Sequence, residues 1–192
     1  MAKNSLKPTI APLLTPVVLV SCQREGSKPN IITIAWVGVA NSEPPMISVA
    51  IRPERHSYGI IKETGEFVAN LPTTAILKEM DFCGVASGSK VDKFSTARLT
   101  PLPAEKVKAP LIKECPANLE CRVKQVIPLG SHDLFLGEVV AAHVDTEIQD
   151  EKGRFDVAKA RLFAFSPAAR EYWSLREKIG GYGFTKGKLD PD

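Results

Sequence analysis

The chain has 192 residues, 44% of them hydrophobic and 24% charged, a balance that excludes the disordered class and allows one domain with a real core. Its 25 basic and 22 acidic residues leave a formal charge of +3, too even for a broad nucleic-acid or membrane-binding surface, so an anion site must be local. No apolar run approaches the roughly 20 residues of a membrane helix, and Pro8, Pro12 and Pro16 break the N-terminal stretch before a signal-like run develops, so a cytoplasmic protein is expected.

The first predicted strand spans 17–22. The second, 31–40, is apolar on both faces while carrying Asn30, Thr33 and Trp36 at its start and middle; a half-solvated strand would alternate. A turn at 41–45 leads to a third strand, 46–51. Arg52 is then held extended before Pro53, and Arg55, His56 and Ser57 open a helix that runs from Ser57 to Thr64 and stops at Gly65. The unpaired N–H groups and dipole of its first turn favour an anion. Ser57 either caps this helix or donates to that anion.

A fourth strand, 66–71, precedes a helix over 73–86 whose Ile76, Leu77, Met80 and Cys83 share one apolar face. Ser87, Gly88 and Ser89 follow, beside Lys90 and Lys93; small residues permit close backbone approach and the lysines supply charge. The alternative is a glycine helix end followed by two solvated lysines. Asp92 caps one further helical turn. Pro101, Pro103, Pro110 and Pro116 exclude regular structure over 100–117. The fifth strand, 118–127, alternates Leu119, Cys121 and Val123 with Glu120, Arg122 and Lys124 on a wet face, and the sixth spans 134–145. From Ser166 a helix and then a Gly-rich exit are expected, and Tyr172, Trp173, Tyr182 and Phe184 of this tail call for a groove or a second subunit.

Dinucleotide, P-loop, nucleophile-elbow and zinc-protease motifs are all missing from the sequence. Cys22, Cys83, Cys115 and Cys121 read as reduced, buried thiols, and with His56, His132 and His143 they form no metal-binding spacing. Short strands, few helices and no βαβ alternation predict a mainly-β Greek-key barrel. An enzyme built this way leaves its chemistry to a cofactor.

Six stretches, PNIITIAW, SVAIRPERHSYGII, EFVANLP, CGVASGSKVDKF, SHDLFLGEV and YWSLREKIGGYGF, resemble in order and spacing the flavin reductase-like family of FMN-binding split-barrel proteins. The resemblance runs from Thr15 to Gly187. It implies a single domain over 1–192, a six-stranded antiparallel Greek-key split barrel with a few short helices. It also implies tightly bound FMN at the interface of a homodimer stabilised by the tail, 166–192. The positions that match the family's flavin contacts are Asn30, Thr33, Ala35, Trp36 and Val37, then Arg52, His56 and Ser57 at the phosphate end, then Asn70, Ser87, Lys93, His132 and Phe165. On this resemblance the isoalloxazine ring would cover the second face of strand 31–40; protein on both sides is the alternative.

The activity implied is an NAD(P)H-dependent flavin or ferric reductase that passes electrons to free flavin, a ferric complex or a protein. A flavoredoxin-type carrier of FMN, reduced by a partner protein, is the second reading. An oligonucleotide-binding barrel has a similar strand count, but the even charge and the lack of serial exposed aromatics weigh against it.

Overall fold

The structure, a computed structural model, describes residues 3–175 and 177–186. Arg176, in the last of the six stretches, and the end of the expected tail, 187–192, lie outside the described residues. The chain forms β1 (Thr15–Pro16), β2 (Val18–Cys22), β3 (Asn30–Ile34), β4 (Val37–Ser42) and β5 (Pro45–Ile51), then α1 (His56–Thr64), β6 (Glu66–Leu71), α2 (Leu77–Val85) and α3 (Lys93–Thr96). There follow β7 (Pro101–Leu102), β8 (Leu111–Ile112), β9 (Ala117–Pro128), β10 (Asp133–Val144), α4 (Val157–Ala160), β11 (Phe163–Ser166) and β12 (Glu171–Ser174).

The main antiparallel sheet has the order β3-β2-β6-β9-β10-β5-β4, a curled split barrel. It holds seven strands instead of the expected six, because 31–40 breaks at Ala35–Trp36 into β3 and β4. These two are the outermost strands of the sheet and are consecutive in the chain, so a two-residue link closes the barrel where no β3–β4 ladder exists. On the β5 side of the break the Ala50 N–H donates to the Trp36 carbonyl at 2.8 Å, one rung beyond the Val37–Val49 pair of β4 and β5. Helix α1 crosses one end of the barrel between β5 and β6; Gly65 ends it with φ 68°, its N–H bonded to the Ile61 carbonyl.

Val18, Val20, Ile32, Ile34, Val49 and Phe135 fill the interior. On the opposite face of β2 and β3, Leu19 and Ile31 pack with Met80, Cys83, Phe94 and Phe163. Protein therefore covers both faces of β3: α2 lies against its outer side, where the Thr33 hydroxyl donates to the Met80 carbonyl. The alternative, protein on both sides, therefore holds along β3, and an open chamber borders its end at Ile32, Thr33 and Ile34 and the two residues at the break, Ala35 and Trp36. Gly137, opposite a bulge in β9, lets the barrel close around Phe67, since an added Cβ would lie 2.7 Å from its Cζ. We expect Gly137→Ala to cost about 1–3 kcal/mol through overpacking, read as a lower denaturant midpoint with an unchanged m value.

Three further expectations are corrected. Residues 166–174 form no helix: Arg170 takes φ 56°, and β12 folds back on β11 so that Tyr172 packs against Phe163 and Phe165. The proline-rich stretch 100–117 contains the paired two-residue strands β7 and β8. Glu120, assigned to a wet face, is fully buried. Its carboxylate accepts from the backbone N–H groups of Glu105, Lys106 and Val107 and lies 2.6 Å from His143 Nε2. Burial pushes its pKa up, but those hydrogen bonds outweigh it and leave the carboxyl below the usual value. The carboxylate thus fastens the 105–107 loop to the outside of β9.

Candidate functional site

Two adjoining chambers open beside the seam, of about 270 Å³ and about 120 Å³, together near the lower end of the roughly 300–1,000 Å³ usual for small-molecule sites. They share Ile32 and Arg55. The larger is mainly apolar. Thr33, Ala35 and Trp36 form one side, His132 and Arg52 another, and Phe165 and Tyr172 a third. Trp36 is 40% exposed and stacks on His132, ring centroids 5.7 Å apart and planes 11° from parallel. Burial, and next the Arg52 guanidinium, lower the His132 pKa, which favours a neutral imidazole at pH 7.

The smaller chamber is polar and cationic. At its floor Asn30 Nδ2 donates to Ser57 Oγ at 2.7 Å, and both residues are buried. Lys93, only 3% exposed, donates from Nζ to the carbonyls of Ile31 and Cys83, each at 2.7 Å. Its ammonium is in none of the ion pairs among the described residues. Burial, the dominant influence, brings its pKa down to about 8. Arg55 reaches across with Nη2 on the Gly84 carbonyl at 3.1 Å, and His56 and Ser87 complete the rim. A buried ammonium satisfied only by carbonyls favours an anion as its missing partner.

The break and the chambers thus gather Asn30, Thr33, Ala35, Trp36, Arg52, His56, Ser57, Ser87, Lys93, His132 and Phe165 into one cleft. Three placements differ from expectation. Arg52 lines the larger chamber, not the anion end. Val37 pairs with Val49 and packs on the interior core, lining neither chamber. Asn70 is fully buried away from the cleft: its Nδ2 donates to the Leu19 carbonyl and Ser21 Oγ, and its Oδ1 accepts from Ile112 N and Asn118 Nδ2. Its expected flavin contact is corrected to a knot joining β2, β6, β8 and β9. Ser57 is not the cap of α1 either; Arg55 holds that position, which frees the hydroxyl for the chamber floor.

The sequence reading placed Arg55 at the anion-favouring helix start but left it out of the matched flavin positions, and it lines both chambers; the reading missed the rim pair in which Tyr172 OH donates to Asp81 Oδ1 at 2.8 Å. Alternation of Phe163 with Phe165, and Tyr172 one turn later, was the available signal for this wall. Burial raises the Cys83 thiol to about 11 and the Cys22 thiol to about 12, so neither is a ready nucleophile beside the cleft. Among the described residues no group of His, Cys, Asp and Glu is placed to hold a metal ion, and no helix is long and apolar enough to cross a membrane.

Residues 11–161 match the flavin reductase like domain. The chain belongs to that family. An uncharacterized protein of Archaeoglobus fulgidus is 44% identical over 113 residues, which are 59% of this chain; the match spans 64% of that relative's length. Among solved structures, the flavoredoxin of Desulfovibrio vulgaris (Miyazaki F) is 34% identical with a TM-score of 0.90, covering 97% of this chain and 100% of its own. A flavoredoxin from Methanosarcina acetivorans is 29% identical, TM-score 0.90, over 98% and 100% of the two chains. The flavin reductase like match ends at residue 161, before β11 and β12, so the wall carrying Phe165 and Tyr172 lies beyond the matched segment.

Proposed function

We propose that the two chambers bind FMN without a covalent bond, ring in the larger and phosphate in the smaller, and that the protein works as an NAD(P)H-dependent flavin or ferric reductase. Lys93 carries this reading: an ammonium buried without a carboxylate, beside Ser57 and Arg55, stands next to an apolar chamber flanked by Trp36. Membership of the flavin reductase like family and the likeness to flavoredoxins support it. Ser57, Arg55 and Lys93 would hold the phosphate, and Thr33, Ala35, Trp36 and His132 would flank the ring. Bound FMN supplies hydride and electron transfer, which no side chain of this protein provides. The chain's part is to orient the cofactor, to neutralise its phosphate and to keep one side of the cleft open to a second reactant.

The proposal includes a homodimer with the chambers at the subunit boundary. Exposed Trp173, Leu175, Ile179 and Phe184 in the tail are the surface a second copy would cover. Four buried free cysteines suit a reducing compartment such as the cytoplasm. The second reading, an FMN electron carrier reduced by a protein partner, is favoured by the full-length likeness to the flavoredoxin at 34% identity.

The visible spectrum of the purified protein tests the first step: flavin absorbance with FMN near one per chain is expected, and a colourless protein that takes up no added FMN refutes the proposal. Anaerobic addition of NADH or NADPH separates the two readings, because only the reductase bleaches without a partner. Gly88→Ala offers a local check. An added Cβ would lie 2.0 Å from Asn30 Oδ1 and push Asn30 off Ser57, so FMN should weaken by about tenfold, the worth of one charge-assisted hydrogen bond. Riboflavin affinity should stay within about twofold, since it lacks the phosphate that chamber addresses.

A further inference from the structure

Lys93 has a capacity that holding a phosphate does not use: it is a primary amine in the wall of a small chamber. Its Nζ is gripped from behind, since it donates at 2.7 Å to the carbonyls of Ile31 and Cys83, and neither of those residues lines the chamber whereas Lys93 does. Once the ammonium gives up a proton, two N–H groups remain for the two carbonyls. The lone pair then takes the vertex left over, on the chamber side.

Burial brings that proton loss within reach. With a pKa of about 8, about a tenth of Lys93 is free amine at pH 7, against roughly one in 2,500 for an ordinary lysine. The groups that face it are Arg55 ahead of α1, Cys22 on β2 and Cys83 on α2, with Glu54 and His56 in the same chamber wall. Both thiols, at about 12 and about 11, stay protonated where the lysine begins to lose its charge. The chamber also selects what reaches the amine. Its volume of about 120 Å³ admits only a small molecule. Its walls favour a phosphate: Arg55 and Ser57 stand beside Lys93, and α1, whose cap residue Arg55 makes no side-chain cap bond, keeps first-turn N–H groups for an anion. These carry a phosphate's charge without calling on the lysine, which leaves the amine for a carbonyl carbon bonded to that phosphate.

We propose that Lys93 of the flavin-free chain is a modification site for small acyl phosphates. This rests on the reading of the chamber as the seat of FMN's phosphate, for which the acyl phosphate competes. The phosphate docks at Arg55 and Ser57, and the Nζ lone pair forms a bond to the carbonyl carbon. The bond from that carbon to the phosphate oxygen breaks, its electron pair staying on the oxygen. One proton of the ammonium has gone to solvent before attack, a second leaves on the departing hydrogen phosphate, and nothing is oxidised or reduced. A neutral amide stands where the ammonium was. The chamber then lacks the charge that addresses FMN, so a chain that meets acyl phosphate first is slow to take up the flavin.

The full-length flavin-free chain is treated with acetyl phosphate at pH 7, and mass spectrometry with peptide mapping locates the acetyl group. Lys93 is expected to be acetylated at least about tenfold faster than exposed Lys90, within the advantage its free-amine fraction allows. Inorganic phosphate or FMN should slow the reaction at Lys93, and acetic anhydride, which carries no phosphate, should show a smaller preference. The acetylated chain should bind FMN about tenfold or more weakly than the untreated chain. Acetylation of Lys93 no faster than of Lys90, a rate that inorganic phosphate leaves unchanged, or an equal preference with acetic anhydride overturns the site. FMN titration of the untreated chain judges the FMN reading separately: binding there leaves that reading intact whatever Lys93 does. Preferred acetylation that inorganic phosphate slows, in a chain that takes up no FMN, sustains the site and removes the FMN reading.

Discussion

Replacing Lys93 by methionine is expected to weaken FMN by roughly tenfold to a hundredfold, the range of a buried charge-assisted hydrogen bond, while riboflavin keeps its affinity. The variant also strips a donor from the Ile31 and Cys83 carbonyls, each costing about 1–3 kcal/mol if left unpaired, so thermal stability should fall too. Riboflavin binding is what separates the two effects. Equal losses for both ligands would return Lys93 to a purely structural part.

The same lysine sets a pH dependence with a definite sign. Its pKa in the free site is about 8, so the ammonium is present below that pH and is shed above it. A phosphate dianion prefers the protonated form. FMN affinity should therefore fall above pH 8 by up to about tenfold per unit, while riboflavin with the native protein, and either ligand with Lys93→Met, shows no such slope. For the ligand-free protein the folded pKa lies below the ordinary lysine value, so the stability penalty is full below about 8 and fades as pH rises toward that value.

Glu120→Ala is expected to be the most damaging single change outside the cleft. It leaves three backbone N–H groups and His143 without their common acceptor, a loss on the scale of about 3–5 kcal/mol for a broken buried charge arrangement, or about 10 °C in Tm at this chain length. Glu120→Gln keeps the shape but turns a donor toward donors, and should fall between. Because the folded pKa of this carboxyl lies below its ordinary 4.5, its contribution is present above that pH and lost as pH falls through the lower value. Acid unfolding of the native protein should accordingly carry a term that Glu120→Gln abolishes. Coincident acid transitions for both proteins would refute this part for Glu120.

Local signals read well where a short-range rule governs. Gly65 ends α1 and Asp92 caps α3 as expected, and strand 66–71 has the predicted bounds. Periodicity failed where burial came from distant chain. Glu120 alternates like a solvent residue, but a loop 15 residues earlier wraps over it. The 166–174 segment has the composition of a helix start, yet β1, far away in sequence, supplies an edge for β11, and the aromatic pairs made possible outweigh local preference. Strand 31–40 was legible as unusual but not as broken, since the break depends on two sheet edges meeting. The cleft was legible in outline: small residues, basic residues and Trp36 mark it. Asn70 misled because a buried amide that joins four strands looks, in sequence, like one that meets a ligand.

Ala35 and Trp36 join strands that share no ladder, and this puts the cleft at the one place in the barrel wall where rungs need not be broken for the gap to widen or narrow. Trp36 there is 40% exposed, while side chains on the opposite arc must interlock around Phe67 and Phe135. Descendants of such a chain are free to exchange the lining of the opening without reworking the interior that keeps them folded.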